Sequence, residues 1–151
     1  MKDTNNVKID VLKANGFLRA IKINKNFKNG DFKQVIVVNK SLGMSVGKIA
    51  AQVAHASVLS LLEANESMAV GWLDNSYPKI VLQVETTSDL LELKKAADEQ
   101  KIPNALVIDE GRTEVTNGSI TCLGIGPFTR EDIDNITGDL RLLWSGNLYL
   151  F

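Results

Sequence analysis

The sequence predicts an α/β domain in which helices pack against a mostly buried sheet. Short runs of β-branched and aliphatic residues alternate along the chain with longer segments whose apolar residues recur at helical spacing. The chain has 151 residues, which is enough for one domain with a substantial core. Its composition, 44% hydrophobic and 23% charged, is typical of a folded globular protein.

Four runs predict strands. The first, QVIVV at residues 34–38, is continuously apolar, which fits a strand that is buried on both faces. The other three are KIVLQV, ALVI and SITCLGI, at Lys79–Val84, Ala105–Ile108 and Ser119–Ile125.

Helices are predicted between these runs. A long helix extends from Gly47 to about Asn65, and residues 66–75 form a short second one. Thr87 or Ser88 is expected to cap a third helix, because both precede an apolar periodic segment. The inner side of that helix would carry Leu90, Leu91, Leu93, Ala96 and Ala97. Residues 130–137 predict one or two further helical turns.

Charge divides the chain into two parts. Residues 1–33 carry a net charge of +5, whereas residues 34–151 carry −6. VKIDVL and FLRAIKI flank Asn15–Gly16, a hairpin signal, so the first part is either a hairpin or a loosely docked arm. We treat 1–33 as a basic N-terminal extension, which could help hold a polyanion or simply be solvated, and 34–151 as the α/β domain.

Composition also excludes several classes of protein. No apolar run approaches the roughly 20 residues that span a bilayer, and the N-terminus lacks the apolar segment of a secretory signal. We therefore expect a cytoplasmic protein without a membrane partner. One cysteine, Cys122, cannot form an internal disulfide, and with a single histidine it cannot form a Cys/His zinc site.

The stretch MSVGKIAAQVAHAS, residues 44–57, contains the only histidine. At 100° per residue, Lys48, Gln52 and His55 fall on one narrow stripe of an otherwise small and apolar helix. Lys48 would lie in the first turn, where free backbone N–H groups favour an anion or oxyanion. The stripe is either a polar edge with a hydrogen-bonded core histidine or a reactive face.

Four ordered blocks carry a family resemblance. They are QVIVVNKSLGMSVGKIAAQVAHAS, DEGRTEVTNGSIT, LGIGP and IDNITGDLRLL, at residues 34–57, 109–121, 123–127 and 133–143. Together they resemble the archaeal and eukaryotic type (type II) of peptidyl-tRNA hydrolase. The resemblance implies a single layered domain with a four-stranded mixed sheet flanked by helices on both faces, often as a homodimer. It also implies hydrolysis of the ester between a peptide and the 3′ end of tRNA, without a metal or organic cofactor.

The resemblance also assigns the reactive residues. It implies catalytic roles for Lys48, Asp109 and Thr121. Asp109 would orient or deprotonate the attacking water, while Lys48 would stabilise the oxyanion or, if it lost its proton, act as the base. Thr121 would hold Asp109 or the water. Substrate-binding roles would fall to Gln52, His55, Lys40, Arg112 and Thr113.

Several of these residues have simpler interpretations. Asp109 could cap a turn before Gly111, and Arg112 could pair with a neighbouring glutamate instead of binding phosphate. Cys122 is expected to pack in the core rather than act as a nucleophile.

The sequence also departs from the usual family pattern at residues that would surround the site. The departures are Asn39, Ser41, the pair Ser45–Val46, Ile108, Glu110 and Glu114. They thin the cationic rim that would contact tRNA phosphates. Two alternatives therefore stay open: a binding module without turnover, and a hydrolase of a smaller ester or amide.

Overall fold

A five-stranded mixed sheet forms the centre of the structure, a computed structural model that describes residues 32–143. The hairpin or arm predicted before residue 32 lies outside the described residues. The strands are β1 (Phe32–Asn39), β2 (Lys79–Val84), β3 (Asn104–Ile108), β4 (Ile120–Thr129) and β5 (Arg141–Leu142). Their order across the sheet is β3-β4-β1-β2-β5. β1 and β2 are parallel, and the other pairs are antiparallel.

The fifth strand corrects the expected count of four. β5 is two residues long, and it pairs with Leu82 and Gln83 of β2. A two-residue strand has no periodicity of its own, so only the tertiary pairing reveals it. The first strand begins at Phe32, two residues before the apolar run that predicted it.

Four α-helices connect the strands. They are α1 (Val46–Glu63), α2 (Glu66–Asp74), α3 (Thr87–Glu99) and α4 (Arg130–Thr137), and a 3-10 helix covers Lys40–Leu42. The predicted cap of α3 was wrong by one residue, because Thr86 caps it in a reciprocal pair with Asp89. Leu91, expected on the inner side of α3, is exposed, so α3 presents a narrower apolar stripe than its sequence suggested.

Helices cover both faces of the sheet, as expected. Along β1, Val35 and Val37 pack on one face and Ile36 and Val38 on the other, because successive side chains of a strand alternate. The face with Ile36 packs against α1, and we call it the α1 side. The face with Val35 packs against α3 and α4, and we call it the α3–α4 side.

α1 lies unusually close to the sheet. A Cβ on Gly124 of β4 would come within 2.4 Å of the backbone oxygen of Ala56, so only glycine fits there. The helix is also held by polar contacts: Gln34 of β1 accepts from Ser57 Oγ at 2.7 Å and donates to Ser60 Oγ at 2.8 Å. No helix in residues 32–143 is both long and apolar enough to cross a bilayer.

Candidate active site

An ion pair joins the start of α1 to the end of β3. Lys48 lies in the first turn of α1, and Asp109 follows the last residue of β3, 61 positions later. Lys48 Nζ donates a hydrogen bond to Asp109 Oδ1. The two side chains are only 11% and 9% exposed. The predicted reactive pair therefore converges at one partly desolvated place.

Backbone contacts fix the carboxylate of Asp109. Gly111 N donates to Asp109 Oδ2 at 2.7 Å, which leaves Oδ1 for the α1 side chains. Gly111 has a φ of 71°, and a Cβ there would lie 2.4 Å from the nitrogen of Asn117, so the turn requires glycine. The hydrogen bond from Lys48 lowers the pKa of Asp109, and the Gly111 amide adds to this against the opposing effect of burial. Asp109 therefore caps the turn through Oδ2, as the simpler interpretation predicted, while its Oδ1 contacts Lys48.

Gln52 and Thr121 form a second layer behind the ion pair. Gln52 Nε2 lies 3.4 Å from Asp109 Oδ1, and Gln52 Oε1 accepts from Thr121 Oγ1 at 2.5 Å. Thr121 is fully buried, and its hydroxyl contacts Gln52 and the carbonyl of Val107. The expectation that Thr121 holds Asp109 or the water is therefore replaced by an indirect arrangement, in which Thr121 orients Gln52.

A β-bulge explains the direction of Thr121. Val107 pairs with Cys122, but the next residue, Ile108, pairs with Ile120, so Thr121 is the extra residue on β4. Consequently Thr121 and Cys122 both contact groups on the α1 side, although they are adjacent in a strand. A strand without the bulge would have directed one of them to the opposite face.

The ion pair opens into a cavity of about 750 Å³ between α1, the end of β3 and the loop after it. Of the predicted substrate-binding residues, Gln52, His55, Arg112 and Thr113 line it, together with both members of the ion pair. Its other lining residues are Ala51, Val58, Leu59, Val107, Ile108, Glu110 and Glu114. Lys40 does not belong to this lining: it lies on the 3-10 helix after β1, 3.8 Å from Glu85.

Charges at the mouth of the cavity are mostly paired. Arg112 contacts Glu110 at 2.5 Å, as one of the two interpretations proposed, and both side chains are largely exposed. Such an exposed ion pair contributes little stability, so a phosphate can replace Glu110 at small cost. A second cavity, about 630 Å³, lies on the α3–α4 side, and none of the predicted site residues line it.

A link between the loop and α1 was not predicted from the sequence. Glu114 accepts hydrogen bonds from Ser45 N at 2.8 Å and from Ser45 Oγ at 2.5 Å, and these bonds lower its pKa. Ser45 caps α1, and its Oγ accepts from the backbone of Lys48 at 3.3 Å. Glu114 stood out only as a departure from the family pattern, and no local signal connects residues 69 positions apart.

Cys122 lies in the core of the α1 side rather than in the cavity. Burial raises the pKa of its thiol to about 12, so the thiolate that a nucleophile needs does not form near neutral pH. Within residues 32–143 no group of three or more His, Cys, Asp or Glu side chains is arranged to hold a metal ion. The polar groups that meet at Asp109 Oδ1 are the ammonium of Lys48 and the amide of Gln52.

Known proteins with similar sequences are peptidyl-tRNA hydrolases. A family profile described as "Peptidyl-tRNA hydrolase PTH2" matches residues 32–143. A peptidyl-tRNA hydrolase of Methanopyrus kandleri is 50% identical over 114 residues, which cover 74% of this chain and 98% of that protein. One from Methanothermobacter thermautotrophicus is 47% identical over 111 residues, covering 74% and 99%.

A solved structure extends the likeness in fold. A protein of unknown function from Agrobacterium tumefaciens aligns with a TM-score of 0.50 over 76% of this chain and 98% of its own. Sequence identity is 12%, so this likeness concerns the fold alone.

Proposed function

The chain belongs to the peptidyl-tRNA hydrolase PTH2 family, and we propose that it hydrolyses peptidyl-tRNA at the cavity beside α1. The bond broken is the ester between the peptide and the 3′ end of tRNA, and the products are a free peptide and a free tRNA. The observation that carries this proposal is the ion pair of Lys48 and Asp109, which joins two distant segments at a cavity open to solvent.

In our proposal Asp109 positions the attacking water. The lowered pKa of its carboxyl group keeps it ionised at neutral pH, and an ionised carboxylate accepts a hydrogen bond from water. The same lowering makes Asp109 a weak base, so we assign it orientation of the water rather than complete removal of a proton. The water oxygen attacks the ester carbonyl carbon, and negative charge develops on the carbonyl oxygen.

Lys48 stabilises that negative charge. Its ammonium group already lies at the carboxylate, so a small movement of the side chain can bring it to an oxyanion in the same cavity. Charge-assisted hydrogen bonds of this kind contribute most where water is excluded. Collapse of the tetrahedral intermediate breaks the bond to the ribose 3′-oxygen. The proton that the water shared through its hydrogen bond with Asp109 passes to this oxygen, which leaves as a hydroxyl group, while the peptide leaves with a carboxyl group.

The predicted substrate-binding residues hold the nucleotide and the ester in place. We propose that Gln52 contacts the ester or the terminal adenosine, and that His55 and Thr113 support it from the cavity wall. When tRNA binds, Arg112 breaks its ion pair with Glu110 and contacts a phosphate of the tRNA instead. Lys40 contributes to a phosphate path outside the cavity, which is consistent with its half-exposed position directly after β1.

One assay separates this function from its alternatives. The pure protein is incubated with N-acetyl-aminoacyl-tRNA and with a short 3′-CCA mimic that carries the same ester, and acyl release is followed. Release from tRNA alone supports the peptidyl-tRNA hydrolase. Equal rates on both substrates support a hydrolase of smaller esters, which the acidic residues Glu110 and Glu114 at the mouth favour. Binding of tRNA without release from either substrate supports a module that has lost turnover.

Three further expectations belong to the proposal. We place the protein in the cytoplasm, where peptidyl-tRNA is produced, and we expect a homodimer, to be checked by light scattering. We also propose that the basic residues of the N-terminal extension before β1, residues 1–31, bind additional tRNA phosphates. Lys33 belongs to β1, where it is buried and paired with Asp134. Removing residues 2–31 should then flatten the salt dependence of tRNA binding, by roughly one unit of slope for each phosphate that is no longer bound.

A further inference from the structure

The cavity changes character along α1. At its ion-pair end the helix contributes Lys48 and Gln52, and at the other end it contributes Val58 and Leu59. Val58 and Leu59 are 57% and 40% exposed, and Ile108, which also lines the cavity, is 61% exposed. We call these three residues the apolar wall. Exposed aliphatic side chains that line one cavity are a feature of ligand-binding surfaces.

We infer that the apolar wall is a subsite for an apolar side chain of the peptide, and this inference rests on the proposed function. The substrate must extend in two directions from the ester: the nucleotide on one side and the peptide on the other. The wall belongs to the same cavity as the reactive pair, so whichever part of the substrate enters it is continuous with the ester.

The position of the wall indicates which peptide residue reaches it. Gln52, which contacts Asp109, and Leu59 are seven residues apart, or about 10 Å along a helix. An extended peptide advances about 3.3 Å per residue, so its third residue from the ester lies at this distance. The wall therefore selects mainly at the third residue, with a smaller effect at the second because Ile108 directly precedes Asp109.

The chemistry of the wall favours a peptide side chain over a nucleobase. Its three members are aliphatic, whereas proteins bind exposed bases mainly by stacking on aromatic or guanidinium planes. The described cavity lining includes no Phe, Tyr or Trp. The imidazole of His55 and the guanidinium of Arg112, which pairs with Glu110 at the mouth, also line the cavity, but neither belongs to the apolar wall. An aliphatic or aromatic side chain of the peptide can bury apolar area against the three residues of the wall, and this burial favours binding.

Matched substrates test the inference. One tRNA is acylated with N-acetyl tripeptides in which leucine or asparagine, which have similar shapes but different polarity, stands at the first, second or third position and glycine elsewhere. We expect kcat/KM to favour leucine over asparagine by about tenfold at the third position and less at the others. N-acetyl-glycyl-tRNA carries an acyl group that is too short to reach the apolar wall, so its hydrolysis measures the rate without any contribution from the wall.

Substitutions in the wall should remove this preference and nothing else. Leu59→Gln, Ile108→Thr and the nearly isosteric Val58→Thr are expected to reduce the leucine preference to about twofold, while turnover of N-acetyl-glycyl-tRNA stays within twofold of the unmodified protein. Leu91→Gln on α3 is the matched control, because Leu91 is 44% exposed on the opposite face of the sheet. It should leave the preference intact.

Other outcomes overturn the inference. A leucine preference that is absent in the unmodified protein, or that survives in all three wall variants, excludes the subsite while leaving the hydrolase activity in place. An equal loss of kcat/KM on every substrate, including N-acetyl-glycyl-tRNA, assigns the wall to the terminal nucleotide instead. A change in oligomeric state without a change in preference assigns it to a subunit interface. If no substrate is hydrolysed, the proposed function itself fails.

Discussion

The two faces of the sheet are held to their helices by different kinds of contact. On the α3–α4 side the fully buried residues of α3 are Leu90 and Ala97, and Ile133 of α4 joins them in the larger apolar cluster. On the α1 side two of the three buried residues of the helix, Gln52 and Ser60, are polar, and each is hydrogen-bonded to a strand residue. The α3–α4 side also has polar contacts between strand and helix, such as the ion pair of Lys33 with Asp134. Its buried helix residues are nevertheless mainly apolar, whereas those of α1 are mainly hydrogen-bonded polar residues.

This difference separates stability from function. Apolar burial is not directional, so the α3–α4 side can stabilise the fold without fixing any one side chain to a fraction of an ångström. Hydrogen bonds are directional, and on the α1 side they determine where α1 lies on the sheet and therefore where Lys48 meets Asp109. We expect substitutions on the α1 side to reduce turnover more than stability, and those on the α3–α4 side to do the reverse.

The largest effect is expected from Asp109→Asn. The amide keeps the shape of the side chain but removes the charge that orients water, so kcat should fall at least about a hundredfold. Single-turnover hydrolysis of N-acetyl-aminoacyl-tRNA measures it, with circular dichroism to verify folding. Glu110→Gln, which neutralises the exposed neighbouring carboxylate, serves as the control and should change kcat less than threefold. Turnover at the original rate in folded Asp109→Asn protein would remove this residue from the chemistry.

Leu90→Ala tests the other half of the comparison. Leu90 is completely buried on the α3–α4 side, so its truncation should lower the free energy of unfolding by about 2–5 kcal/mol. Urea titration gives this value. Below the unfolding transition, kcat should stay within twofold of the original protein, because no contact of the ion pair changes. A large loss of kcat in the folded protein would contradict the separation of the two sides.

Thr121→Val and Thr137→Val compare buried hydroxyls on opposite sides. Thr121 is the donor to Gln52, so its loss leaves a buried amide oxygen unpaired, at a cost of about 1–3 kcal/mol in unfolding free energy. We expect kcat to fall about tenfold as Gln52 moves, with little change in KM for the 3′-CCA mimic. Thr137 donates at 2.9 Å to the carbonyl of Ile133, within its own helix. Thr137→Val should leave kcat unchanged.

The ion pair predicts a dependence on pH that Lys48→Met should alter. In the folded protein the hydrogen bond from Lys48 lowers the pKa of Asp109. The pKa of the same group in the unfolded chain is about 3.9. The pair therefore contributes stability above that unfolded value, and the contribution is lost as pH falls toward the folded pKa. Lys48→Met should raise the pKa of Asp109, measured by carbon NMR of the carboxyl group, and flatten the decline of stability below pH about 4. An unchanged carboxyl titration would show that Lys48 is not its main partner.

The smallest effect is expected at Glu114. Glu114→Gln can keep the bond from Ser45 N with its amide oxygen and replace the other with one donated by its NH2 group to Ser45 Oγ, whereas Glu114→Ala removes both contacts and frees the loop from the start of α1. We expect about a fivefold loss of kcat for alanine and less than twofold for glutamine. The glutamine variant also removes a negative charge from the mouth, so KM for tRNA should fall, most clearly at low salt. Equal kcat in all three proteins would show that the link does not position Lys48.

The architecture could be predicted from local patterns. The run QVIVV and the strand KIVLQV stand out because a strand buried on both faces must be apolar throughout. α1 and α4 ended within two residues of the predicted bounds because their capping residues and apolar spacing are local signals. The short β5 was missed because it depends on pairing with β2. The cap at Thr86 does have a local signal, Asp89 three residues later, but Thr87 and Ser88 are also favourable capping residues.

The polar stripe on α1 shows what could not be predicted from local sequence, namely how deeply each of its residues is buried. Lys48, Gln52 and His55 share one stripe by angle, yet Gln52 is buried against β4 while His55 is exposed in the cavity. A helical projection gives direction around one axis, but the surface opposite each residue is supplied by other elements. The same limit applies to Thr121. The direction of its side chain depends on a β-bulge that cannot be predicted from the sequence SITCLGI.

By itself the sequence determined the elements, the faces they bury, and the residue types available for ester hydrolysis. Those properties follow from propensity and periodicity, which act within a few residues of the chain. The tertiary structure decided that Lys48 meets Asp109, that Thr121 acts through Gln52, and that Glu114 is tied to Ser45. These contacts join residues more than 60 positions apart, and their geometry depends on close packing of α1 against Gly124 that no local pattern encodes.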